Sequence, residues 1–133
     1  KVGKLYWVWG INMSRYILIR GWFECDFEQV KKIKEANEEF FKHSEKYLLP
    51  ENTKRLYLNG WCYPEYPINW VSVISLGVNI NQIAFDYIKD MIVNVSKTER
   101  LDGYFRVNDD EDNLFLEWIV KDGYLEEIIL SGS

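Results

Sequence analysis

Histidine occurs once in these 133 residues, cysteine and methionine twice each, and proline three times. A single histidine, His43, excludes a two-histidine ribonuclease site and any histidine-rich metal site. It also leaves a Ser-His-acid triad with one possible base and no GxSxG context for a nucleophile. Cys25 and Cys62 are too few and too isolated for a disulfide framework or a CxxC metal site. No segment resembles a signal peptide, so cytoplasm with free thiols is the expected setting. The most apolar run, Trp70 to Ile80, is interrupted by Ser72, Ser75, Gly77 and Asn79. It falls well short of the roughly 18 apolar residues of a membrane span. No glycine-rich phosphate loop, internal repeat or low-complexity linker is present.

Hydrophobic residues, by contrast, make up 47% of the chain. At this length that supports one domain over 1–133, burying roughly two thirds of the surface its unfolded chain would expose. Leu5 to Trp9 and Arg15 to Phe23 are β-branched and aromatic around "GINMS", which predicts two strands and a turn. Asp26 and Gln29 have the spacing of a capping box, and Phe27, Val30, Ile33, Ala36, Asn37, Phe40, Phe41 and Ser44 recur at helical spacing, predicting a helix from about Phe27 to Tyr47. Pro50 ends that region. "KRLYLNGW", Lys54 to Trp61, alternates as a third strand, and Trp70 to Leu76 as a fourth that Gly77 breaks. Asn79 or Asn81 can cap a second amphipathic helix, about Asn81 to Ser96, with its stripe on Ile83, Ala84, Tyr87, Ile88, Met91, Ile92 and Val95. Leu101 to Val107, Leu114 to Val120 and Tyr124 to Leu130, separated by "NDDEDN" and "KDG", predict a three-stranded meander. The order ββαββαβββ implies an α+β fold: a single, mainly antiparallel sheet with two amphipathic helices on one face.

Charge is unevenly placed. The chain carries a net −5, yet Glu99 to Ser133 holds ten acidic residues against three basic ones, a net of −7. The remainder, with thirteen basic and eleven acidic residues, carries +2. Such asymmetry steers cationic partners and repels phosphate-bearing ones. Nucleic acid is therefore not expected as a partner: Lys31, Lys32 and Lys34 lie beside Glu28, Glu35, Glu38 and Glu39, where they pair along a solvated helix face. The acidic run from Asp109 is not a calcium loop, because counting from Asp109 puts Leu114 at the required glycine and Val120 at the bidentate glutamate. Glu65 and Glu117 could be drawn as a glycosidase pair, but 21 acidic residues make some pair inevitable. No cofactor and no catalytic residues are expected.

The segment "NGWCYPEYPINW", Asn59 to Trp70, remains. Pro64 and Pro67 remove backbone donors and stiffen it, so it is a loop between strands. Trp61 and Trp70, at strand ends, are expected to anchor it inward, while Tyr63, Glu65 and Tyr66 present a pre-organised contact surface. The acidic meander supplies further candidate partner-binding residues: Asp109, Asp110, Glu111, Asp112, Glu117, Asp122, Glu126 and Glu127.

With "NDDEDN", "YLEE" and "WCYPEYP" as its binding-type features, this short, acidic, Trp- and Tyr-rich domain resembles the immunity proteins of bacterial polymorphic toxin systems, including contact-dependent growth inhibition. The resemblance is one of overall character and carries no residue-by-residue correspondence. It implies a non-catalytic antitoxin that binds and neutralises one cognate toxin domain, a basic nuclease being the expected kind. An adaptor or regulatory protein-binding module is the alternative, followed by a small-molecule-binding or catalytic α+β domain.

Overall fold

The computed structural model describes residues 15–111 and 113–131. Among them lie β1 (Tyr16–Cys25), α1 (Phe27–Lys42), α2 (Glu51–Leu58), β2 (Trp61–Cys62), β3 (Ser72–Asn81), α3 (Phe85–Glu99), β4 (Asp102–Asp109), β5 (Phe115–Lys121) and β6 (Tyr124–Ser131). The strands form one antiparallel six-stranded sheet in the order β2-β3-β1-β4-β5-β6. The α+β architecture expected from sequence is therefore present, with three α-helices rather than two. The strand expected at Leu5 to Trp9, with its hairpin, lies outside the described residues.

Period-2 alternation sets the faces of the sheet. In β1, Ile17, Ile19, Phe23 and Cys25 are buried, while Tyr16, Leu18, Trp22 and Glu24 are exposed on the opposite face. Ile17 faces Ile80, Ile19 faces Val78 and Phe23 faces Ile74 across the β1–β3 ladder, so the apolar sets coincide. Two glycines make room for aromatic rings on the buried face. Gly21 sits opposite Phe105, and Gly103 opposite Phe23. The Phe23 and Phe105 rings meet edge to face at 5.1 Å.

Helix α1 begins at the Asp26–Gln29 capping box and buries Val30, Ile33, Asn37 and Phe41. It stops at Lys42, short of the expected Tyr47, because the chain folds back. Ser44 Oγ donates to the Phe41 carbonyl at 2.6 Å, and Lys54 Nζ donates to the Ser44 carbonyl at 2.7 Å. Tyr47 then packs on Phe40 and Tyr87, with its hydroxyl donating to Asp90. Lys54 to Leu58, expected as a strand, belongs to α2: Pro50 precedes its first turn, a position where its missing N–H costs nothing. The buried residues of α2 are Lys54 and Leu58, four apart, and Leu56 is exposed, so the period is helical. Of the expected third strand only Trp61 lies in a strand, the two-residue β2.

Strand β3 starts at Ser72 and runs through Gly77 to Asn81. Gly77 does not break it, since Arg20 pairs with it across the ladder. Asn81 caps as expected, its Oδ1 accepting from the Ile83 N–H at 3.1 Å. The residues that follow, Gln82–Ala84, form a 3-10 turn that leaves Ile83 exposed, outside the stripe it was assigned to. Tyr87, Ile88, Met91, Ile92 and Val95 of α3 are buried with α1 in one core. The meander β4–β5–β6 follows the expected boundaries to within two residues.

Candidate functional site

The proline-rich loop joins β2 to β3 and is pinned at its β2 end. Trp61 is buried, stacks on Phe23 at 6.0 Å and on Tyr63 at 6.4 Å, and aims Nε1 at the Met91 sulfur at 3.2 Å. Tyr63 is half-buried rather than presented outward. Asn37 Nδ2 donates to its hydroxyl at 2.9 Å, and burial pushes its phenol up, partly offset by that hydrogen bond. Tyr63 thus ties the loop to α1. At the other end the sequence expectation for Trp70 fails: the residue is 91% exposed. The reason is that β3 begins two residues later, at Ser72, so no ladder turns Trp70 inward. The outward-facing side chains are Tyr66, Ile68 and Trp70, with Glu65 exposed beside them.

These side chains lead onto a second surface, the face of the sheet opposite the helices. Val73 of β3 pairs with Glu24, next to Trp22, whose ring lies 5.3 Å from that of its cross-strand neighbour Tyr104. Leu18, Asn108 and Phe115 form the row beyond, across β1, β4 and β5. Between these rows Arg20 and Arg106 stand directly opposite each other. Glu117, opposite Arg106, accepts a hydrogen bond from the Tyr104 hydroxyl, a contact that raises the tyrosine pKa.

The acidic candidates do not converge. Asp109 is buried: its Oδ1 accepts from the backbone N–H groups of Asn113 at 2.7 Å and Leu114 at 3.0 Å, and its Oδ2 pairs with Arg15 at 3.1 Å. Burial alone would raise its pKa, but those N–H groups and Arg15 hold it below the usual aspartate value. Asp109 therefore braces the β4–β5 turn from inside, with its carboxylate turned away from solvent. Asp110 and Glu111 are exposed at that turn, and Asp112 lies outside the described residues. Asp122 sits at the opposite end of β5 and pairs with Arg100 at 3.0 Å. Glu126 opposes Ile119 on the open face, whereas Glu127 opposes buried Trp118. There Trp118 Nε1 donates to Glu127 at 2.9 Å and Lys89 pairs with it at 3.0 Å, lowering its pKa despite partial burial. Alternation along "YLEE" is the signal that separates the two glutamates.

His43 stands exposed beyond the end of α1, 3.5 Å from Glu39. Among the described residues no cluster of His, Cys, Asp and Glu could hold a metal ion, and no helix is long and apolar enough to cross a membrane. Sequence reasoning missed the arginine pair and the apolar residues around it; placing Arg20 and Arg106 side by side requires the β1–β4 register. Compared with known proteins, the chain matches no family model, no curated protein and no solved structure.

Proposed function

We propose that this protein is a non-catalytic binding protein of the immunity type, which neutralises a toxin domain by covering it with the β2–β3 loop and the adjoining face of the sheet. The observation that carries this reading is Trp70, 91% exposed next to exposed Ile68 and Tyr66 in a loop stiffened by two prolines. Large apolar side chains held outward lie outside the core and are common anchors of protein interfaces. Because the loop is tied down through Trp61 and Tyr63, docking has little of it left to order. A basic partner is favoured by the net charge of −5. Steering acts over a Debye length of about 8–10 Å, so dispersed carboxylates can supply it without forming one patch. The test is co-expression in bacteria with the basic C-terminal domain of a secreted protein encoded beside its gene. Growth is expected to be rescued by the native chain and lost with Trp70→Ala at equal expression; rescue by neither would overturn the reading.

A further inference from the structure

The open face carries a feature that strand pairing does not explain. Like charges directly opposite each other on neighbouring strands oppose pairing, yet Arg20 faces Arg106. Neither guanidinium has a carboxylate within 4.0 Å among the described residues. Arg20 donates to Asn108 Oδ1, and Arg106 lies over the Phe115 ring at 5.0 Å. Glu117, the carboxylate placed to neutralise Arg106, accepts from Tyr104 instead. Each guanidinium has five N–H donors in a planar fork, so among the described residues most of them are uncommitted.

Beside the pair the sheet has a notch. Gly77 is opposite Arg20, and a Cβ there would meet nothing within 4 Å. Gly77 lines a cleft of about 570 Å³ together with Arg20, Arg106, Trp22, Tyr104 and Cys62. Glu24 and Asp102 stand on the same face in the row beyond Trp22 and Tyr104, and Glu117 stands next to Arg106, while the β3 side of the cleft carries no carboxylate. Those carboxylates disfavour dianions and polyanions more than a monoanion, which the two forks can take from the β3 side.

We propose that Arg20 and Arg106 form a binding site for a carboxylate attached to a flat or apolar group, which lies over Gly77 against Trp22 and Tyr104. The carboxylate can be that of a free organic acid or of an acidic residue on a protein. The site shares the open face with the proposed toxin contact but does not rest on that reading, and its test needs no partner. In an NMR titration of the full chain, benzoate represents the free acid and N-acetyl-aspartate amide the protein-borne one. At least one is expected to give saturable shifts confined to the cleft, and the tighter of the two identifies the source. Arg20→Gln, Arg106→Gln and Gly77→Val are each expected to weaken binding about tenfold or more, the last by filling the notch where the fold has room. The melting temperature without ligand is expected to stay level or rise in the arginine variants, because a repulsion is removed. The proposal is overturned if neither probe binds, if neutral benzamide binds as well as benzoate, or if phenyl phosphate binds more tightly. It also falls if the arginine variants lose stability while keeping probe affinity.

Discussion

At the scale of single residues, the aromatic loop shows what sequence position can and cannot decide. Trp61 and Trp70 look alike in the sequence, each beside a strand, but one is 5% and the other 91% exposed. The difference is a ladder: Trp61 pairs with Leu76, whereas Trp70 precedes the first paired residue of β3. Tyr63 was legible as an aromatic next to a proline but not as the partner of Asn37, because that contact joins residues 26 apart. Trp61→Ala is therefore expected to cost about 3–5 kcal/mol in denaturant unfolding. Tyr63→Phe should cost on the order of 1 kcal/mol, through Asn37 losing its partner. Trp70→Ala and Tyr66→Ala should stay within about 0.5 kcal/mol of the native chain. Gly21 makes a sharper case. A Cβ there would sit 2.1 Å from the Tyr104 carbonyl oxygen and 2.6 Å from the Phe105 ring, backbone and core alike. Gly21→Ala is expected to cost at least about 1–3 kcal/mol by overpacking, or to prevent folding, while Gly77→Ala is tolerated. The two thiols should also separate chemically. Burial, with Asp26 and Glu99 adding to it, pushes Cys25 up to about 11, whereas Cys62 is exposed. Iodoacetamide at pH 8 is expected to label Cys62 and spare Cys25, as peptide mass mapping would show.

Elements were legible where one period dominated. The capping box and the apolar stripes of α1 and α3, and the three meander strands, follow from local pattern. "KRLYLNGW" was not, because its alternating leucines fit a period of 2 while the fold uses Lys54 and Leu58, a pair at helical spacing. A buried lysine is a poor sequence signal for a core position. Its role here appears only in three dimensions: its ammonium donates to the Ser44 carbonyl just beyond the end of α1, where a cation also suits the helix dipole. Lys54→Met keeps the apolar stem and removes the donor, so it should destabilise by about 1–3 kcal/mol, read as a shift in the urea midpoint at unchanged slope. Asp109 braces the β4–β5 turn in the same sense. Its pKa is lowered on folding, so its contribution is complete above the ordinary aspartate value of 3.8 and is lost as pH falls through the folded value. Stability is expected to fall in that acid window. Asp109→Asn should lower stability at neutral pH and flatten the acid dependence, whereas the same change at exposed Asp110 should do neither.

For the molecule as a whole, sequence gave the class of fold but not the order of its strands. Local pattern says that β4, β5 and β6 are neighbours, since short turns join them; it does not say that β1 lies between β3 and β4, because helices intervene on one side and the whole β3–α3 crossover on the other. The acidic bias of the last quarter was legible as a number. Its dispersal over two ends and two faces of the meander was not, because it depends on register. Strand order in turn predicts how stability is distributed. Strand β1 is hydrogen-bonded along both edges and carries Ile19 and Phe23, both fully buried. Among the described residues strand β6 is bonded to β5 along one edge only, and Ile129 and Leu130 are largely exposed. Opening β6 breaks one ladder and little core, while opening β1 dismantles the sheet. Amide hydrogen exchange is therefore expected to be slowest over Ile17 to Phe23, at the rate set by global unfolding, and orders of magnitude faster in β6 at the amides that face away from β5. Exchange in β1 as fast as in β6 would mean that the sheet does not unfold around its central strand.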